Sequence, residues 1–261
     1  MNRKVALITG ASSGIGRELA LIHADKGDDL VLVARSIQKM QELKDEIKSK
    51  KDIDIIIIGK DLSEKGAASD VFKVLQEKNV VPDYLINNAG FGDFSLFAES
   101  DWNKQEQMIN VNITALSHLT RLIIPLMIQR GSGKILNVAS LASFQPGPTM
   151  SVYFASKAYV LSFSQALHNE LKEHGITVTA LCPGSTDTLF HAVTMGDPSL
   201  LKERKMDSPR DVALFGYDAM IKGKPVVIYG FKNKLVVFLS RFLTREFIAS
   251  KARKIQESKH I

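Results

Sequence analysis

A chain of 261 residues that is 45% hydrophobic and 24% charged has the make-up of an ordinary folded domain and length enough to bury a sizeable core, which excludes disordered and fibrous classes. Its one cysteine, Cys182, rules out an intrachain disulfide and, lying in an apolar run, reads as a buried strand residue of a protein in a reducing compartment. The net charge of +6 is local, because residues 231–261 carry eight Lys/Arg against two Glu and leave the remainder neutral.

The N-terminus leads straight into a short strand-like run, too brief for a signal peptide, and no apolar stretch reaches the ~18 residues of a membrane span. The expectation is a cytoplasmic protein. Val5 to Thr9 is apolar and β-branched, and Gly10-Ala-Ser-Ser-Gly14-Ile-Gly16 and a helical pattern over 17–26 follow it. Strand, glycine turn and helix in that order suit a pyrophosphate: glycines let the backbone approach closely, and the helix start offers free N–H groups and a positive dipole end.

The next strand, 30–34, ends in Ala34-Arg35, where an acidic residue would grip the adenosine ribose hydroxyls of NAD. A missing carboxylate beside a guanidinium favours the extra 2′-phosphate of NADP over NAD. The alternative for Arg35 is a solvated side chain opening the helix over 36–50. An isoleucine-rich run at 53–58 fits a strand covered on both faces, and Asp61-Leu62, a helix over 64–78, a strand at 83–86 and Asn87-Asn88-Ala89-Gly90 follow. A long helix is expected over 102–129, with Asn112 inside it as a polar group that needs a partner if buried. Further strands at 133–140, 176–182 and 226–229 complete the alternation. The fold class is α/β, a single doubly wound parallel (Rossmann) sheet of about seven strands with helices on both faces.

The stretch 137–157 carries the chemistry. Ser140 closes an apolar run, so its hydroxyl should emerge at the carboxyl edge of the sheet. Tyr153 and Lys157 are four apart, which places both on one helix face with Cβ atoms about 5–6 Å apart. A free phenol has a pKa of about 10, and a nearby ammonium is expected to lower it, making Tyr153 a proton donor and acceptor for an oxygen bonded by Ser140.

Thr9 to Gly16, Asn87 to Gly90, Asn112, Ser140, Tyr153 with Lys157, and Pro183-Gly184 occur in an order and spacing that resembles the short-chain dehydrogenase/reductase family over residues 4–229. By that resemblance Tyr153 is the general acid/base, Lys157 binds the nicotinamide ribose, Ser140 orients the substrate and Asn112 holds a relay water. Gly10, Gly14 and Gly16 cradle the pyrophosphate, with Ser12 or Ser13 capping it and Ile15 in the same turn. Asp61 and Leu62 meet the adenine, Asn88, Ala89 and Gly90 the adenosine side, and Pro183, Gly184 and Thr188 the nicotinamide end. Arg35 matches the NADP-associated position, although Ser13 stands where many NADP-using relatives carry a basic residue. The resemblance implies an NADP-dependent oxidoreductase acting on a carbonyl or secondary alcohol, and a homodimer or homotetramer. A non-catalytic dinucleotide-binding sensor is the alternative.

Residues 1–230 form the expected catalytic domain. Within it Phe91, Phe94, Phe97 and Phe144, with Leu189, Phe190, Val193, Met195, Leu200 and Leu201 in a lid over 188–207, suggest an apolar substrate, or else they complete the core. Beyond it, 231–261 reads as a basic amphipathic helix with Leu235, Phe238, Leu239, Phe242, Ile248, Ala252 and Ile255 at helical spacing. Such a helix could contact a membrane surface, a second subunit or its own domain. No nucleic-acid module or metal-ligand spacing is present, and His168 and His174 read as surface or packing residues.

Overall fold

Side chains alternate across a strand, so a strand apolar at every position must be covered on both sides. In β1 (Val5–Thr9) Ala6 and Ile8 join one core and Leu7 the other; in β2 (Asp29–Ala34) Leu30 and Leu32 take the first side and Val31 and Val33 the second. The computed structural model describes residues 3–188, 190, 194 and 206–257. With β3 (Ile55–Gly59), β4 (Tyr84–Asn87), β5 (Gly133–Val138), β6 (Ile176–Cys182) and β7 (Val226–Ile228), these strands make one seven-stranded parallel sheet in the order β3-β2-β1-β4-β5-β6-β7.

On one face lie α1 (Gly14–Asp25), α2 (Ile37–Lys48) and a later helix, Pro209–Ile221, contributing Leu19, Met40, Leu43 and Val212. The other face is covered by α3 (Ala67–Glu77), α5 (Leu116–Arg130) and α6 (Ser151–Glu170), through Val71, Leu119, Ile123 and Val160, with α4 (Trp102–Ile109) packed on α6 through Met108. Truncating a buried leucine, isoleucine or methionine among them to alanine costs about 2–5 kcal/mol. The strand order reverses between β1 and β4, so the loops after those two strands diverge and open a crevice at the carboxyl edge of the sheet.

Three expectations change. The helix over 102–129 is interrupted, since a π-turn at Asn110–Ala115 joins α4 to α5. The whole segment Trp102–Arg130 is long and apolar enough to cross a membrane, contrary to the sequence reading; it packs as a core helix, with Leu119, Ile123 and Met127 buried against the sheet. The tail is two helices rather than one: following α7 (Pro209–Ile221) come α8 (Phe231–Ser240) and α9 (Arg245–Glu257). The lid over 188–207 falls largely outside the described residues, as do its Leu189, Val193, Met195, Leu200 and Leu201. Its described ends meet where the Asp187 N–H donates to Asp207 O and the Asp207 N–H to Ser185 O, both at 3.0 Å.

Candidate active site

The turn after β1 is shaped by what it touches. Gly10 has φ +66° and Gly14 φ +55°, both left-handed and easy only for glycine. A methyl on Gly16 would collide with the Gly10 carbonyl oxygen and Asn88 Nδ2, so the start of α1 sits directly on the strand end. Asn88 Nδ2 donates to Thr9 O at 3.0 Å and Gly10 O at 3.1 Å, and the Asn88 and Ala89 N–H groups donate to Thr9 Oγ1 at 3.0 and 3.1 Å. These bonds lock the loops after β1 and β4 on either side of the crevice. The side chain of Ser13, the N-cap of α1, makes no capping bond, so the helix start keeps free N–H groups for an anion.

Across the crevice, β5 ends at Val138, two residues earlier than expected, and Ser140 begins the turn that leads to α6. Its Oγ accepts from the Ala142 N–H at 3.1 Å and lies against the Tyr153 phenol. Tyr153 and Lys157 are both buried, 8% and 5% exposed. Lys157 Nζ donates to Val138 O at 2.8 Å, and the Ser143 hydroxyl holds Lys157 O at 2.7 Å. Asn112 explains the π-turn: its Nδ2 donates to Phe91 O and Ser156 Oγ, each at 3.0 Å, and its Oδ1 accepts from the Phe91 N–H at 3.2 Å. A regular helix would rotate the amide away from these partners. Gly90 separates this amide from the ammonium, since a methyl there would lie 3.0 Å from Asn112 Oδ1 and 3.2 Å from Lys157 Nζ.

The electrostatics differ from the sequence expectation. Burial pushes the Tyr153 phenol up to about 12, with the Ser140 hydroxyl acting in the opposite sense, and burial brings Lys157 down to about 8. The ammonium is 5.9 Å from the phenol ring centroid and is turned to the Val138 carbonyl, so desolvation outweighs its pull. At neutral pH the site therefore holds a protonated phenol backed by an ammonium, a pair able to protonate an oxygen presented to it.

A cleft of about 590 Å³ joins these groups. Asp61 and Leu62, after the edge strand β3, line it at the Arg35 end, Gly10, Ser12, Ser13, Gly14 and Ile15 after β1 and Asn88, Ala89 and Gly90 after β4 line it centrally, and Ser140, Tyr153, Lys157, Pro183, Gly184 and Thr188 line it on the β5–β6 side. Gly16 and Asn112 lie behind its wall. Arg35 stands at one end with its side chain 76% exposed and its Nη1 3.9 Å from Asp61 Oδ2. The glycine turn, the open helix start and the cationic corner fit a nicotinamide dinucleotide.

The sequence missed several lining residues. Ser36 and Lys39 join Arg35, and their link was legible, because Ser36 caps α2 by accepting from the Lys39 N–H at 3.4 Å. Met150 and Phe154 are likewise missed; they form an apolar wall with Phe91 and Phe190, both of which the sequence points to, the Phe190 ring being 5.2 Å from that of Tyr153. Of the other aromatics expected there, Phe94 packs on the same apolar cluster as this wall, Phe144 joins the cluster of Ala139 and Cys182, and Phe97 is 59% exposed.

The short chain dehydrogenase family model matches residues 4–196. An uncharacterized oxidoreductase of Staphylococcus saprophyticus is 34% identical over 210 residues, covering 80% of this chain and 88% of its own. A short-chain dehydrogenase from Sphingobium yanoikuyae in complex with NADPH has a TM-score of 0.81 at 32% identity, over 87% of this chain and 88% of that one. The bulky-bulky ketone specific alcohol dehydrogenase from Comamonas testosteroni has a TM-score of 0.79 at 29% identity, over 92% and 93%. The family match and these relatives, on a doubly wound sheet with this crevice, place the class among the NAD(P)-dependent oxidoreductases. The chain belongs to the short-chain dehydrogenase/reductase family and is an enzyme of that family.

Proposed function

We propose that this enzyme uses NADP to interconvert a carbonyl and a secondary alcohol of an apolar substrate, with residues 1–230 as the catalytic domain. The observation that carries the reading is the protonated Tyr153 phenol, buried in the cleft beside Ser140 with the Lys157 ammonium behind it.

Gly10, Gly14, Ile15 and the start of α1 would hold the pyrophosphate, Asp61 and Leu62 the adenine, and Pro183, Gly184 and Thr188 the nicotinamide end. Bound there, the reduced nicotinamide supplies a hydride to the carbonyl carbon. Ser140 bonds the substrate oxygen and fixes its distance from Tyr153. As negative charge develops on that oxygen, Tyr153 gives up its proton, and Lys157 stabilises the phenolate left behind and returns a proton to it. Asn112, next to Lys157 across Gly90, positions the route by which the lysine regains its proton. Oxidation of the alcohol runs the same transfers backward.

For NADP, the support is the missing carboxylate after β2 and the group of Arg35, Ser36 and Lys39 at that end of the cleft. The NADPH-bound Sphingobium relative points the same way. For an apolar substrate, the support is the wall of Phe91, Met150, Phe154 and Phe190, and the ketone specificity in the name of the Comamonas relative. A homodimer or homotetramer follows from the family resemblance. A panel of carbonyl compounds assayed with NADPH and with NADH, by loss of nicotinamide absorbance, tests the reading. Turnover of bulky apolar ketones with NADPH preferred is expected; activity confined to small hydrophilic sugars would contradict it.

A further inference from the structure

An amphipathic helix that serves its own domain turns its apolar stripe inward. α8 does the reverse. It docks on the domain through Asn233, Val237 and Ser240, and of its side chains only Val237 is buried. Phe231, Leu235, Phe238, Leu239 and Phe242, spaced to form one stripe, are 47–80% exposed, and Phe247 on α9 is 46% exposed. The Phe238 and Phe242 rings pack edge to face with centroids 5.4 Å apart, forming an aromatic ridge on the surface. Six cations, Lys232, Lys234, Arg241, Arg245, Lys251 and Lys254, are exposed around it.

We propose that α8 and α9 form a docking face for an anionic lipid bilayer, with the aromatic stripe entering the acyl boundary and the basic residues lying at the headgroups. Charge complementarity selects this occupant. A second copy packed face to face would bring a matching set of cations against these six while removing water between them, which is repulsive. An anionic leaflet offers apolar depth and negative charge together. The face also adjoins the active site: α8 contacts the Leu141–Phe144 turn, and Asn233, which donates to Tyr229 O at 2.7 Å, stands beside Gly184. A docked enzyme would hold its cleft at the membrane surface, where apolar carbonyl compounds concentrate.

Flotation of the full-length protein tests this, using vesicles of phosphatidylcholine alone and vesicles in which about a third of the lipid is phosphatidylserine. Each basic group near an anionic leaflet is worth about fivefold in partitioning and each buried aromatic about tenfold or more. Wild type is expected to float with the anionic vesicles and at least about tenfold less with the neutral ones. The pairs Phe238→Ser/Phe242→Ser and Arg241→Gln/Arg245→Gln should each lower binding more than about tenfold while turnover of a water-soluble ketone is unchanged. Wild type that floats with neither vesicle overturns the proposal. So does a dimer in light scattering that Phe238→Ser/Phe242→Ser dissociates while vesicle binding stays the same, because a second copy then covers the stripe. Ketone turnover is read separately, so failure of the docking face leaves the catalytic reading standing.

Discussion

Lys157 Nζ donates to the carbonyl oxygen of Val138 at 2.8 Å, tying the helix that carries Tyr153 to the last residue of β5. One ammonium therefore anchors α6 and stands behind the phenol. Replacing Lys157 with Met keeps the bulk of the stem and removes both roles. The kcat for ketone reduction should fall by about 10²–10⁴-fold, the usual range for a positioned proton-transfer group. Steady-state kinetics at saturating NADPH check it, and a kcat close to wild type would contradict the role.

The pH profile follows from the same pair. Burial lowers Lys157 from its usual 10.5 to about 8, so it is an ammonium below that pH and neutral above it, while Tyr153 keeps its proton until about 12. Reduction, which needs both groups protonated, should run at a constant rate below pH 8 and slow about tenfold per pH unit above it. In Lys157→Met the residual activity should lose that inflection. An inflection that persists in the variant would assign it to another group.

Arg35 is exposed, only loosely paired with Asp61, and set where β2 delivers the chain to the end of the cleft proposed to take the adenosine. Arg35→Ala should raise the KM for NADPH by roughly tenfold to a hundredfold, the value of a charge-assisted bond to phosphate, and leave the KM for NADH nearly unchanged. Equal effects on the two cofactors would remove Arg35 from 2′-phosphate recognition.

Gly16→Ala tests the contact between α1 and the end of β1. The added methyl meets the Gly10 carbonyl and the Asn88 amide, neither of which can withdraw without breaking the bonds across the crevice. Overpacking of this kind costs about 1–3 kcal/mol. The variant should melt several degrees lower and bind NADPH more weakly. Unchanged melting would show that the turn relaxes more freely than these bonds allow.

The sequence made legible what local spacing determines. The run from Val5 through the glycines into α1 and the i,i+4 pairing of Tyr153 with Lys157 need no distant partner, and both stand in the structure where spacing put them. Asn112 reads from the sequence as a group in need of a partner, but the π-turn that supplies one depends on Phe91 and Ser156, which are 21 and 44 residues away. For Tyr153 the sequence points to a lowered pKa because the neighbouring lysine is visible in it, whereas the desolvation that raises the pKa comes from walls contributed by several elements. The tail's periodicity revealed an apolar stripe on α8. Which way that stripe faces was settled by Asn233 and Val237, which dock the helix by its other side.

The central claim is that the Tyr153 hydroxyl delivers the proton. Tyr153→Phe removes one oxygen and leaves the ring packed edge-on against Phe154 and tilted against Phe190. In this variant, turnover of a bulky apolar ketone should drop at least about 10²-fold while the NADPH dissociation constant, read by quenching of protein fluorescence, stays within about threefold of wild type. Undiminished turnover would contradict the mechanism.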